Sequence, residues 1–117
     1  MRKNTIPAVA QLLPSAQYEH IVQHFSLYKD EIDRLDKIVS TIPRLGDTKA
    51  VNNPTAYLHY FTGTADFFIC EYDGEDTFFG TARFSLYHPN RTKYHKFSLS
   101  NLKSNVFIEL DLLWGRQ

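Results

Sequence analysis

The sequence predicts an α+β domain, with an N-terminal helical layer packed on a curved antiparallel sheet of four to five strands. Two observations predict it. Residues 61 to 80, FTGTADFFICEYDGEDTFFG, carry period-two alternation of aromatic and β-branched residues around an Asp-Gly turn, which is a strong hairpin pattern. Residues 15 to 42 repeat apolar residues at helical spacing instead. Helices first and strands after is the α+β order.

Each element follows from local pattern. Residues 1 to 14 form a proline-punctuated lead-in with Ile6, Val9, Leu12 and Leu13 at roughly helical spacing. Ser15 is a plausible N-cap for the helix that follows. Its apolar stripe runs Tyr18, Ile21, Val22, Phe25, Tyr28 and then Ile32, Leu35, Ile38, Val39, Ile42, while Glu19, Lys29, Asp30, Glu31, Asp33, Arg34, Asp36 and Lys37 occupy the other face. An unbroken rod of that length would span about 40 Å, too long for a small domain. A break near Ser26 to Asp30 is therefore expected, with Asp30 capping the second half and Pro43 ending the helix. Residues 43 to 55 (PRLGDTKAVNNPT) are a turn-rich linker. Tyr57 to Phe61 is the first strand, and the hairpin supplies two more. A loop at His88-Pro89-Asn90-Arg91 leads to a short strand near Tyr94 to Phe97. Ser98 caps one helical turn, and Val106 to Trp114 is the last strand, with Val106, Ile108, Leu110, Leu112 and Trp114 on one face.

Composition narrows the function classes. At 117 residues the chain is one domain, 1–117, able to bury a core without metal or disulfide staples. It divides into a helical part (1–42), the linker (43–55) and a β-rich part (56–117). The 43% hydrophobic and 22% charged content are those of a globular chain. A net charge of zero argues against holding DNA by bulk charge and against an all-over acidic DNA mimic. Cys70 is the one cysteine, so no intrachain disulfide forms and a cytoplasmic setting is expected. MRKNTIPAVAQLLPSAQ has no long apolar region, so neither a signal peptide nor a membrane span is expected.

Several residues in the second half form a spaced pattern: His59-Tyr60-Phe61, Asp66-Phe67-Phe68-Ile69, Glu71-Tyr72-Asp73 and Phe79-Gly80. It continues through Phe97-Ser98-Leu99, Leu102, Glu109-Leu110-Asp111-Leu112 and Trp114. Over about residues 56 to 114 this resembles the bacterial family called domain of unknown function 2958, and related small domains of phage and plasmid polyvalent proteins. Phe67 and Phe68 stand where that family often has a Trp-rich strand, and Tyr94-His95-Lys96 where it tends to have Gly-Tyr. The resemblance implies residence on mobile elements and dealings with host defence. It implies no reaction.

His20 and His24 have a spacing that can hold zinc, but no HExxH pattern accompanies them, and flank histidines of an amphipathic helix are the adopted reading. Asp66, Glu71, Asp73, Glu75 and Asp76 place five acids in eleven residues. Most read as solvated turn residues, since DGED supplies no calcium ladder. By strand alternation Glu71 shares a face with Phe67 and Ile69, and needs a partner such as Arg83 or Lys96. Glu109 and Asp111 share a face with Phe107 and Leu113. His59, Glu71, Glu109 and Asp111 are therefore the buried polar residues of interest. Cys70 reads as a small core residue beside Phe68 and Tyr72. From Thr77 to Phe107 there is no acid, while Arg83, Arg91, Lys93, Lys96 and Lys103 interleave with Tyr87 and Tyr94. That is either a nucleic-acid footprint or a neutralising neighbour of the acidic hairpin, and the second is adopted.

The expected function is binding rather than catalysis: a non-enzymatic, protein-binding accessory factor of a phage or plasmid. It would inhibit a host restriction or CRISPR complex by direct contact, or serve another host defence or replication complex. Neither metal nor other cofactor is implied. Partner contacts are expected from Tyr57, Tyr60, Tyr72, Tyr87, Arg91, Lys93, Tyr94 and Lys96. The alternatives are a nucleic-acid-binding accessory using the same segment, and a small metal-dependent hydrolase drawing on Glu71, His59, Asp111 and the acidic turn.

Overall fold

Alternation along the hairpin builds the centre of the sheet. The computed structural model describes residues 8–84 and 90–115. In it Asp66–Tyr72 (β2) and Thr77–Arg83 (β3) pair antiparallel across the predicted turn. Leu58–Phe61 (β1) lies on the far side of β2, and His95–Ser98 (β4) on the far side of β3. Glu109–Leu110 (β5) completes a five-stranded sheet of order β4-β3-β2-β1-β5. The expected α+β class is observed.

One residue breaks the alternation. Ile69 pairs with Gly80 while Glu71 pairs with Phe79, so Cys70 has no opposite number and forms a β-bulge. Ile69 and Tyr72 consequently both reach the helical side, where they join Leu58, Tyr60, Phe78 and Leu110 in the core. Glu71 turns to the other face. The expectation that Glu71 shares a face with Phe67 and Ile69, and that Cys70 shares one with Tyr72, is corrected by this inserted residue. Gly80 is required beside it, because a Cβ there would sit 1.8 Å from the Phe68 carbonyl oxygen.

The helical layer is Ser15–Gln23 (α1) and Phe25–Val39 (α2), preceded by a 3-10 turn at Ala8–Leu12. The break falls at His24, earlier than expected, where φ −126° and ψ 37° leave the helical region. The change of direction rotates the apolar stripe out of phase. Val22, Phe25 and Leu27 are exposed, while Ile21, Ile32 and Leu35 are buried. Neither expected cap forms: Ser15 is already the first helical residue behind Pro14, and Asp30 lies inside α2. Val9 and Leu12 of the 3-10 turn are fully buried, and the Val9 amide donates to Asp36 at 3.2 Å. Tyr60 reaches through the core to donate to the Leu12 carbonyl at 2.5 Å.

Ser98 caps Leu99–Lys103 (α3) as expected, its hydroxyl oxygen accepting the Asn101 amide at 3.2 Å. The last strand is far shorter than 106–114. Asn105 accepts the Phe107 amide at 2.8 Å and Asp111 accepts that of Leu113 at 3.0 Å. Such local side-chain bonds favour turns over a ladder. Val106 and Phe107 are consequently 85% and 75% exposed. No helix among the described residues is long and apolar enough to cross a membrane.

Gly80→Ala is expected to destabilise the domain by about 3 kcal/mol or more, since the clash is with backbone and forces β2 from β3. Urea unfolding measures this, and a cost below about 1 kcal/mol would contradict the close approach.

Candidate functional site: the outer face of the sheet

The helices cover one face of the sheet, and the chemistry-bearing side chains collect on the other. On β1 and β2, His59, Phe61, Asp66, Phe68 and Glu71 point outward; from β3 and β4 come Phe79, Arg83 and Lys96. This face is where a site would lie.

Its most connected feature is a hydrogen-bonded chain joining three strands and the turn after β5. His59 Nδ1 lies 3.0 Å from Asp111 and Nε2 lies 2.8 Å from Asp66. The other Asp66 oxygen accepts from Arg83 Nε and Nη2 at 3.1 and 2.8 Å. The imidazole is held flat by Phe68, at a 5.1 Å centroid separation, and by Phe61 and Trp114. A cleft of about 400 Å³ opens beside it, bounded by His59, the Thr62–Ala65 turn, Asp66, Arg83 and Asp111. A general base needs a ring nitrogen free to face substrate, and here carboxylates face both. Partial burial pushes the Asp66 carboxyl up, but the bonds and charges of Arg83 and His59 outweigh it and hold the group below its ordinary range. The arrangement is a polar cross-link between strands.

Glu71 is the most buried carboxylate, at 2% exposure. It is gripped by the linker rather than by the expected Arg83 or Lys96. The amides of Gly46 and Thr48 donate to its two oxygens at 2.7 and 2.8 Å, and the Thr48 hydroxyl donates as well. Burial raises its carboxyl, yet these donors and the Lys96 charge more than compensate, so the net shift is downward. The same linker continues past Cys70, whose Sγ lies 3.8 Å from the Pro54 carbonyl. Burial, then the Glu71 charge, pushes that thiol up, so it is the less nucleophilic protonated form.

The acidic turn is also occupied. Asp73 accepts the amides of Glu75, Asp76 and Thr77 at 2.8 to 3.0 Å. Asp76 accepts from Ser98 Oγ and the Ser100 amide at 2.7 and 2.8 Å, tying the hairpin to α3. No group of three or more His, Cys, Asp or Glu side chains among the described residues is placed to hold one metal ion. On the helical side the His20 and His24 rings lie tilted against each other at a 4.7 Å centroid separation, and His20 also meets the Tyr28 hydroxyl at 3.0 Å.

Two of the expected contact residues and one of the expected buried polar residues are corrected. Tyr60 and Tyr72 are core residues, 0% and 8% exposed, and cannot meet a partner. Glu109 is exposed rather than buried, because β5 places it opposite Phe61 on the outer face. Tyr87 and His88 lie outside the described residues. The rest converge around β4. Tyr94 is 40% exposed and stacks on Phe79 at 5.8 Å. Arg91, Lys93 and Lys96 are exposed, and Arg91 lies 3.6 Å over the Phe68 ring. Tyr57 is half-buried at the other side of the sheet. What the sequence did not reveal was the Asp66–His59–Asp111 chain, although all three residues were individually conspicuous. Comparison with known proteins adds nothing further: no family model, curated protein or solved structure matches the chain.

Glu71 and Asp66 are held below their ordinary range in the fold. Their contribution is therefore complete above the unfolded-chain values, about 4, and is lost as pH falls through the lower folded values. Glu71→Gln should melt earlier than the parent at neutral pH and lose less on acidification. Thermal melting against pH decides this; parallel curves for the two proteins would remove Glu71 from the account.

Proposed function

We propose that this chain is a non-enzymatic binding protein that docks another protein on the basic, aromatic end of its outer face, around β4. One observation carries the reading. Arg91, Lys93 and Lys96 stand exposed beside the Phe79–Tyr94 stack and make no ion pair among the described residues. Meanwhile the groups an enzyme would draw on are engaged: His59 by two carboxylates, Glu71 by three donors, and Asp73 and Asp76 by turn and cap bonds. Aromatic and arginine side chains are the usual anchors of an interface. The resemblance over residues 56 to 114 supports a mobile-element setting, in which the partner is a host defence or replication complex and contact with it is inhibitory.

A second reading has its own support. Cations beside a stacked tyrosine also suit single-stranded nucleic acid. The protein reading is preferred because net charge is zero and the basic cluster is confined to one end of one face.

Arg91→Glu combined with Lys93→Glu should abolish co-purification of the partner from nuclease-treated host lysate, while circular dichroism and melting stay at parental values. Retention of the same protein by the doubly reversed variant would place the contact elsewhere. Loss of the parent's capture on nuclease treatment would transfer the face to nucleic acid.

A further inference from the structure

The two edges of the sheet are finished differently. At the β5 edge, Leu110 exchanges both of its outward backbone bonds with the side-chain amide of Gln17 on α1: Nε2 donates to the Leu110 carbonyl at 2.9 Å, and Oε1 accepts the Leu110 amide at 2.8 Å. A glutamine therefore occupies the place another strand would take. At the β4 edge, β3 is the one strand paired among the described residues. The bond from the Leu99 amide to the Asp76 carbonyl, 2.7 Å, sets the phase of the β3–β4 ladder. Antiparallel pairs alternate between bonded and non-bonded. Phe97 and His95 accordingly bond inward to β3, and Lys96 turns its N–H and C=O away from the sheet.

That open edge is not neutral. Lys93 and Lys96 lie along or just before it, both exposed, and neither has an acidic partner within ion-pair distance among the described residues. Lysines on an edge strand deter pairing with another copy, because the two edges would repel. The same charges favour one kind of strand over others, an acidic one. Burying Lys96 backbone groups against a neutral strand would leave Lys93 and Lys96 without a carboxylate from that strand. An acidic strand answers them and satisfies the free backbone together.

We propose that β4 accepts an extended acidic segment of the partner protein as a sixth strand, with main-chain bonds to Lys96 and carboxylates of the incoming segment facing Lys93 and Lys96. Strand addition of this type takes its affinity from backbone pairing and its selectivity from side chains on alternate positions. The inference rests on the binding reading above and names the chemistry of the bound segment.

The test needs no knowledge of the natural partner. A short synthetic peptide alternating Glu and Val is titrated into the labelled protein and followed by amide NMR, beside a Lys-Val peptide and an oligothymidylate. The Glu-Val peptide should shift the amides of Lys96 and its neighbours, slow exchange of the Lys96 amide, and weaken with added salt. Lys96→Ala removes charge but keeps the outward N–H. Lys96→Pro also removes that donor, which costs no bond to β3 because it points away. The proline variant should bind at least about tenfold more weakly than the alanine variant, equivalent to about 1.4 kcal/mol. Should proline unfold the domain, exchange of the Lys96 amide in the parent protein gives the decision: strand addition slows it at least about tenfold, equivalent to about 1.4 kcal/mol, and unchanged exchange at saturating peptide would overturn it. Equal binding by the alanine and proline variants, or peptide shifts mapping away from β4, would overturn strand addition while leaving a protein-binding face in place. No preference for the Glu-Val over the Lys-Val peptide would overturn the acidic partner. Oligothymidylate binding at the same amides, with none by peptide, would overturn both readings in favour of nucleic acid.

Discussion

The fold turns on the extra residue in β2. With Cys70 inserted, Ile69 and Tyr72 both enter the core and Glu71 emerges on the opposite face. Without it, strict alternation would carry Glu71 into the helical side among Tyr60 and Phe78, where a carboxylate finds no donors and burial is prohibitive. With it, Glu71 meets the amides of Gly46 and Thr48. A bulge also increases local twist, and Gly80 is what lets β3 follow β2 at that point, since no side chain fits against the Phe68 carbonyl. The linker's path over the outer face, past Glu71 and Cys70, is thus a consequence of one backbone insertion.

A common logic governs the polar residues of the outer face. Each carboxylate that is partly removed from water has its oxygens assigned: Asp66 to His59 and Arg83, Asp111 to His59 and the Leu113 amide, Glu71 to the linker. These bonds cross between elements distant in sequence, so they hold β1, β2, β3, the linker and the C-terminal turn to one another. Trp114 joins them by donating to the Ala56 carbonyl at 2.9 Å, while Arg34 of α2 donates to the Trp114 carbonyl at 2.9 Å from the other side. Saturation of this kind leaves little capacity for chemistry. Arg91, over the Phe68 ring, and Lys93 and Lys96, at the β4 edge, lie outside any ion pair among the described residues.

Local pattern revealed the hairpin, the Ser98 cap and the linker, because their signals involve residues within a few positions of one another. It misplaced the helix break, since His24 carries no propensity signal comparable to proline or glycine. It extended the last strand over 106–114 because alternation there is genuine; Asn105 and Asp111 redirect the backbone with their own side chains. Tyrosine suits both a core and an interface, so local pattern leaves Tyr60 and Tyr72 free to read as outward. Strand register and the bulge decided which.

The sequence by itself determined the class of fold, the order of its elements and the segregation of charge. Those follow from periodicity and composition, which are local properties. Tertiary structure alone decided which face each strand residue occupies past Ile69, which acids find donors, and which sheet edge the Gln17 side chain closes. These depend on a register shift of one residue and on bonds such as Gln17 to Leu110, spanning 93 positions. No short window of sequence contains both ends of such a bond, so its outcome is fixed only when the chain packs.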